Sequence, residues 1–313
     1  MTFGEHVFLY CERGNNSELL AEPFNAISNA AFLLAGLIGL QLALWRPKEQ
    51  RDADHVLLPV LVLFIGLGSL LFHLYADRGT ALADVVPISV FTLVYLGFAF
   101  NRLLGVPPGC SVLLLIGFAG IMALTGQVQC TDNAIGFFDM EAQGVRPCLN
   151  GSIFYLPALA ATIVIGLVLH ERGHRAAPWV LWAAAIFAVS LTLRTLDLAL
   201  CDRIVIDGRK VGTHFAWHML NALALLLLLR ASLEGRPAEV AAAAGKPASI
   251  SEEAASETRG DQEPAPAPEP AEPLAARTEA EAKESEAPEP EAPKTEGERP
   301  EAKEEKPKVF FPA

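Results

Sequence analysis

Residues 211–230 read VGTHFAWHMLNALALLLLLR, and the fold turns on how this stretch is taken. Its second half is a near-pure Ala/Leu run that belongs in lipid or in a deep core, yet His214 and His218 stand at its mouth. An ionisable side chain inside a membrane is expensive and marks a functional site by default. The spacing i, i+4 stacks both imidazoles on one face of a helix, about one turn apart. They form a metal-ligand pair that lacks a third member.

Similar apolar runs recur at Phe24–Leu44, Val56–Leu74, Val85–Leu104, Cys110–Leu124, Ile153–Leu169, Trp179–Leu200 and Phe215–Leu229. A spanning helix needs roughly 20 such residues. The chain of 313 residues is 52% hydrophobic, with a mean hydropathy of +0.33 in spite of a polar last quarter. The fold class is therefore an all-α membrane protein, a seven-transmembrane helix bundle over residues 1–232. The first ten residues, MTFGEHVFLY, lack the basic region of a cleaved signal peptide. The first helix then serves as its own insertion signal.

Most of the net charge of -12 belongs to the end of the chain, where Glu234 onward carries 20 acidic and 10 basic residues. That leaves the membrane body nearly neutral, so no nucleic-acid partner is expected. EPAPAPEPAEP and the Glu/Pro/Lys sequence after it offer almost no large apolar side chains. Residues 233–313 read as a disordered tail that cannot offset the entropy of folding. Its closing VFFPA reads as a docking motif for a partner of unknown kind.

Loop charge chooses the orientation. With the N-terminus outside, Arg46, Lys48, Arg51, Arg102, Arg172, Arg175, Arg230 and Arg236 fall inside. Arg13, Arg78, Arg146, Arg203, Arg209 and Lys210 fall outside, a modest excess in the expected direction. Cys11, Cys130, Cys148 and Cys201 then share the outer side, and Cys110 lies near the inner face. Four thiols sorted to one side point to an oxidising compartment and two disulfides rather than four free thiols. Three connectivities are open; closeness in sequence favours Cys130 with Cys148, which leaves Cys11 for Cys201. The Ala/Leu-rich helices and the tail suggest a bacterial inner membrane, with the C-terminus cytoplasmic.

The second span ends in Ser69 and His73, again at i, i+4, and Asp84 opens the third. Helix order brings those two ends and the start of the seventh span to one depth on one side, where His73, His214 and His218 can meet. Three imidazoles without a thiolate suit a tetrahedral catalytic zinc that keeps its fourth position for water. Asp84 is the carboxylate placed to move a proton there, and Ser69 the hydroxyl placed to stabilise a developing oxyanion. Taken singly, these residues have plainer roles, Asp84 as a helix N-cap among them; five at one depth do not. Haem is the competing metal group: two histidines on one helix face cannot ligate it from opposite sides, and a haem between His73 and His214 leaves His218, Ser69 and Asp84 without a role. Arg194 and Asp197, at i, i+3, are expected to form an ion pair, and Asn25, Ser28 and Asn29 to bond to neighbouring helices.

These residues resemble the alkaline ceramidase family, within the wider CREST group of seven-span membrane hydrolases. The matching stretches are YCE (10–12), EPFNAISN (22–29), GLGSLLFH (66–73), Asp84 with Pro87, RTLDLALC (194–201) and THFAWH (213–218). The resemblance implies a zinc on His73, His214 and His218, with Ser69 and Asp84 catalytic. It implies a disulfide joining the N-terminal segment to the loop after the sixth helix, here Cys11 to Cys201. It also implies hydrolysis of the amide of a ceramide to a fatty acid and a sphingoid base; in a bacterial chain the amide cleaved is expected to extend to a related N-acyl lipid, entering from the bilayer. The other readings are a lipid-ester hydrolase of the same group and a seven-helix receptor or scaffold with structural zinc. Two departures stand out. The family's Asp-Glu-Leu-Pro-Met is here DVVPI, and its acidic calcium-binding start, Asp-Trp-Cys-Glu, is here LYCE. A calcium ion would then have Glu12, Glu22 and Asn15 or Asn16 as donors, one carboxylate fewer than the family pattern.

Overall fold

The structure is a computed structural model that describes residues 4–131, 135–137 and 146–234. The expected disordered tail lies outside the described residues from Gly235 onward. Among the described residues, seven stretches are long and apolar enough to cross a membrane: Pro23–Leu44, Ala53–Tyr75, Arg78–Leu103, Pro108–Gly126, Cys148–Glu171, Ala177–Leu196 and His214–Ser232. Helices α1 (Pro23–Ser28) and α2 (Ala30–Leu44) make the first, followed by α3 (Ala53–Tyr75). Helix α4 (Arg78–Phe98) runs on through a π turn, Ala99–Leu103, and α5 is Pro108–Gly126. A 3-10 stretch, Cys148–Tyr155, leads into α6 (Leu156–Glu171), before α7 (Ala177–Leu196) and α8 (His214–Ser232). Short strands β1 (Val128–Cys130), β2 (Ile135–Phe137) and β3 (Arg146–Pro147) pair antiparallel in the order β2-β1-β3. A hairpin of β4 (Val205–Ile206) and β5 (Arg209–Lys210) joins α7 to α8.

The helices form a ring in which α3 packs on α4 and α2, α8 on α2 and α7, and α6 on α7, while α5 closes it against α4 and α6. Phe32, Leu58, Val62, Ile65, Phe91, Leu169, Val180 and Leu229 fill its interior. Leu34, Leu37, Phe64, Leu67, Ile116, Trp182 and Val189 face outward instead. Apolar side chains on both faces of a helix are what a lipid solvent selects. Close approach needs small residues: a Cβ on Gly39 would lie 2.4 Å from the Leu229 side chain, and one on Gly36 would lie 2.7 Å from Leu63.

Alternation of the spans gathers the N-terminal segment, the α3–α4 turn, the α5–α6 connection and the α7–α8 hairpin at one end. Both disulfides are there, Cys11–Cys201 and Cys130–Cys148, while Cys110, at the opposite end, is free and exposed. The N-terminal segment lies along the α3–α4 turn, where Val7 N donates to Ala76 O (2.7 Å) and Arg78 N to Glu5 O (3.1 Å).

Two boundaries differ from the sequence expectation. The third span opens at Arg78, not beside Asp84, because Asp77 caps it by accepting from Thr80 N at 2.8 Å. Asp84 therefore sits in the second turn and is no N-cap. The sixth span ends at Leu196, so Asp197 is past the helix rather than within it.

Candidate metal centre and active site

The last turn of α3 and the first two turns of α8 bring three imidazoles together. His73, His214 and His218 are all buried, and one ligand nitrogen from each lies within 4.8 Å of the others. His73 Nε2 and His218 Nε2 are 3.2 Å apart. Their outer nitrogens are both taken: His73 Nδ1 lies 2.6 Å from Glu22 Oε2, and His218 Nδ1 lies 2.7 Å from Ser28 Oγ. Tyr10 stacks on His214 at 3.6 Å between ring centroids.

These partners fix the tautomers. An ionised Glu22 only accepts, so His73 carries its proton on Nδ1. Ser28 Oγ gives its own proton to Asn25 O (2.8 Å), so it accepts from His218 Nδ1. In the neutral rings both Nε2 atoms then point bare lone pairs at each other, an arrangement that a metal ion between them would relieve. Two nitrogens on a tetrahedral zinc, each at about 2.0–2.1 Å, stand about 3.3–3.4 Å apart, close to the spacing here. His214 Nδ1 is buried without a hydrogen-bond partner. The residues fit zinc, down to the outer hydrogen bonds that orient metal-binding histidines. No fourth His, Cys or carboxylate joins the cluster among the described residues. A tetrahedral ion held by these three residues alone would leave a position for water.

Ser69 is buried one turn before His73. Its hydroxyl neighbours the Asp84 carboxylate across the α3–α4 contact, and the charge of Arg194 is close by. Gly68 makes that contact possible, because a Cβ there would lie 1.9 Å from Ala83 O and 3.3 Å from Asp84 N. The two helices touch backbone to backbone beside the catalytic candidates.

The ion pair expected between Arg194 and Asp197 does not describe these residues. Lying beyond α7, Asp197 accepts from Thr213 N (2.7 Å) and His214 N (2.9 Å) at the start of α8, and from Cys11 N (2.9 Å). One carboxylate thus seats the helix that carries two histidines and ties it to the N-terminal segment. Burial pushes its pKa up, and the backbone donors counter this only in part. Gly212, at φ +68°, leaves room for it: a Cβ there would meet Asp197 Oδ1 at 2.2 Å. Arg194 donates to Asn150 O (2.9 Å) and lies 5.4–5.7 Å from the ring centres of Tyr10, Tyr155 and Trp217. The expectation for Ser28 holds through His218. Asn25 Nδ2 reaches Glu22 (2.9 Å), while Asn29 Nδ2 bonds within its own segment, to Asn25 O.

The donors named for calcium have other partners or face solvent. Both Glu12 oxygens accept backbone N–H groups, from Phe24 and Asn25, at 2.8 Å each. Glu22 is shared among Arg13, Asn25 and His73. Asn15 is exposed. Burial raises the Glu12 carboxyl despite its two donors. It would raise Glu22 as well, but the His73 imidazole and the bonds from His73, Asn25 and Arg13 outweigh it and hold that carboxyl below its ordinary value. Glu22 is the partner of His73, a role its spacing did not reveal.

No curated protein matches the chain. Residues 8–233 match the family described as Ceramidase, a span that begins just before Tyr10 and closes just after α8, taking in both halves of the histidine centre. The chain belongs to the ceramidase family.

Proposed function

We propose that the protein is a zinc-dependent intramembrane hydrolase that cleaves the amide of ceramide or a related N-acyl lipid to a free fatty acid and an amine. The observation that supports this reading is a cluster of three buried histidines set beside Ser69 and Asp84 and next to an apolar cavity. That cavity, about 60 Å³, is lined by Ile65, Ile88, Phe91, Tyr155, Phe187 and Asn221 among others. Ile65 lies one turn below Ser69, Ile88 one turn below Asp84 and Asn221 one turn below His218. An acyl chain seated there presents its carbonyl to the polar cluster.

Zinc, when bound, would polarise that carbonyl and make a water acidic enough to attack near neutral pH. Asp84 accepts the attacking water's proton on a carboxylate oxygen and returns it to the departing nitrogen, so that the C–N bond breaks and the amine leaves neutral. Ser69 Oγ turns from Asp84 to donate to the acyl oxygen as its charge grows. Glu22 and Ser28 keep the inner nitrogens of His73 and His218 free of protons. The disulfides at the site's end of the bundle, with Arg46, Arg172, Arg175 and Arg230 at the other, support an outward-facing centre and a cytoplasmic C-terminus.

The test is fatty-acid release by purified protein from a panel of ceramides, other N-acyl lipids and O-acyl lipids of matched chain length. Release from amides and not from esters is expected. Release from esters alone would make it an ester hydrolase on the same centre, and zinc binding without turnover of any lipid would favour a receptor or scaffold.

A further inference from the structure

Arg13 stands outside the mechanism, yet its side chain is wholly buried at the centre's edge. Its guanidinium has five N–H groups, and all five are used. Nε donates to Glu22 Oε1. Nη1 donates to Asn16 O and Glu18 O, both at 3.1 Å. Nη2 donates to His73 O at 2.7 Å and Leu74 O at 3.3 Å. Four carbonyls from two segments and one carboxylate converge on a single cation.

Two of those carbonyls belong to the last turn of α3, whose terminal C=O groups lack helical partners and attract positive charge. That turn carries His73. The carboxylate is Glu22, whose other oxygen holds His73 Nδ1. The guanidinium therefore grips His73 twice, through its own backbone and through the group that orients its ring. An oxygen set of this kind is also what a hard divalent cation takes, as calcium accepts six to eight oxygens from carboxylates, carbonyls and water.

We propose that Arg13 is a tethered cation: it fills the oxygen cage between the N-terminal segment and α3, takes the place of a calcium ion there, and positions His73 for metal binding through Glu22. The chain then needs no calcium. Its role as a positioning residue rests on the histidine centre being the metal site; the occupancy of the cage does not.

The experiment uses the full chain in mild detergent and compares wild type, Arg13→Ala and Arg13→Lys. Zinc affinity is measured by competition with a chromophoric chelator, and the thermal midpoint is followed in calcium-free buffer, in millimolar calcium and in millimolar guanidinium. Wild type is expected to show the same zinc affinity and midpoint in all three. Arg13→Ala should bind zinc about 10–100-fold more weakly, the usual effect of losing a partner that orients a metal-binding histidine. Calcium or guanidinium should restore much of that loss and raise the midpoint of the variant alone. Arg13→Lys, with the charge but not the fork, should fall between and ignore calcium. A calcium-dependent wild type, or an Arg13→Ala that binds zinc normally and ignores both cations, overturns the proposal. Should Arg13→Ala fail to fold in any buffer, the wild type and the lysine variant still decide, since a calcium response in either contradicts a filled cage. Absence of zinc from the wild type would sink the metal-centre reading, while the calcium response of the midpoint still reads the cage.

Discussion

Asp84→Asn is expected to lower kcat for amide cleavage by about 10²–10⁴-fold, the range a positioned acid-base group supplies, with zinc content unchanged and KM little altered. The amide is nearly isosteric with the carboxylate and keeps a contact with Ser69, but it cannot take a proton from water or return one to nitrogen. Asp84 is not among the atoms clustered for metal binding, and its place in the second turn of α4 is held by backbone contact at Gly68 rather than by its own charge. Steady-state kinetics with elemental analysis of the same sample separates the outcomes. Loss of zinc along with activity would make Asp84 a fourth ligand and the site a closed, structural one.

Gly68→Ala is expected to cost about 10²-fold in activity with zinc retained. The new methyl would stand 1.9 Å from Ala83 O and 2.7 Å from Ala83 C, atoms of α4's backbone that no rotamer change moves aside. The helices must part, and Asp84 recedes from Ser69 and from the substrate carbonyl. A displacement near 1 Å suffices for a loss of that order, and overpacking lowers stability by about 1–3 kcal/mol. His73 stays, since Arg13 and Glu22 hold it independently of α4. Gly117→Ala is the control, with nothing within 4 Å of its added methyl. Equal activity in the two variants would mean that the α3–α4 contact does not set the catalytic geometry.

Much of this arrangement was open to sequence reading because lipid imposes simple rules. Apolar runs mark helices, their order fixes which ends meet, and a histidine in such a run has few bland explanations. That was enough to bring His73, His214 and His218 together. Boundaries were harder. Hydropathy began the third span at Val85, but Asp77-Arg-Gly-Thr80, a capping signal present in the sequence, starts it a full turn and more before Asp84. The same blur put Asp197 inside a helix, where i, i+3 spacing pairs it with Arg194; one residue beyond the helix, it faces the N–H groups of α8 instead. Glu22 and Arg13 were legible as charges but not as partners of His73, because nothing in spacing says that a chain segment before the first helix folds back onto the end of the third.

The central claim is that three buried imidazoles hold one catalytic metal ion, and zinc content answers it most directly. Elemental analysis of wild type and His214→Ala, purified in parallel without added metal, is predicted to give about one zinc per chain in the first and little in the second, with both folded by their helical signal. A wild type without zinc, or a His214→Ala that retains it in full, would contradict the account.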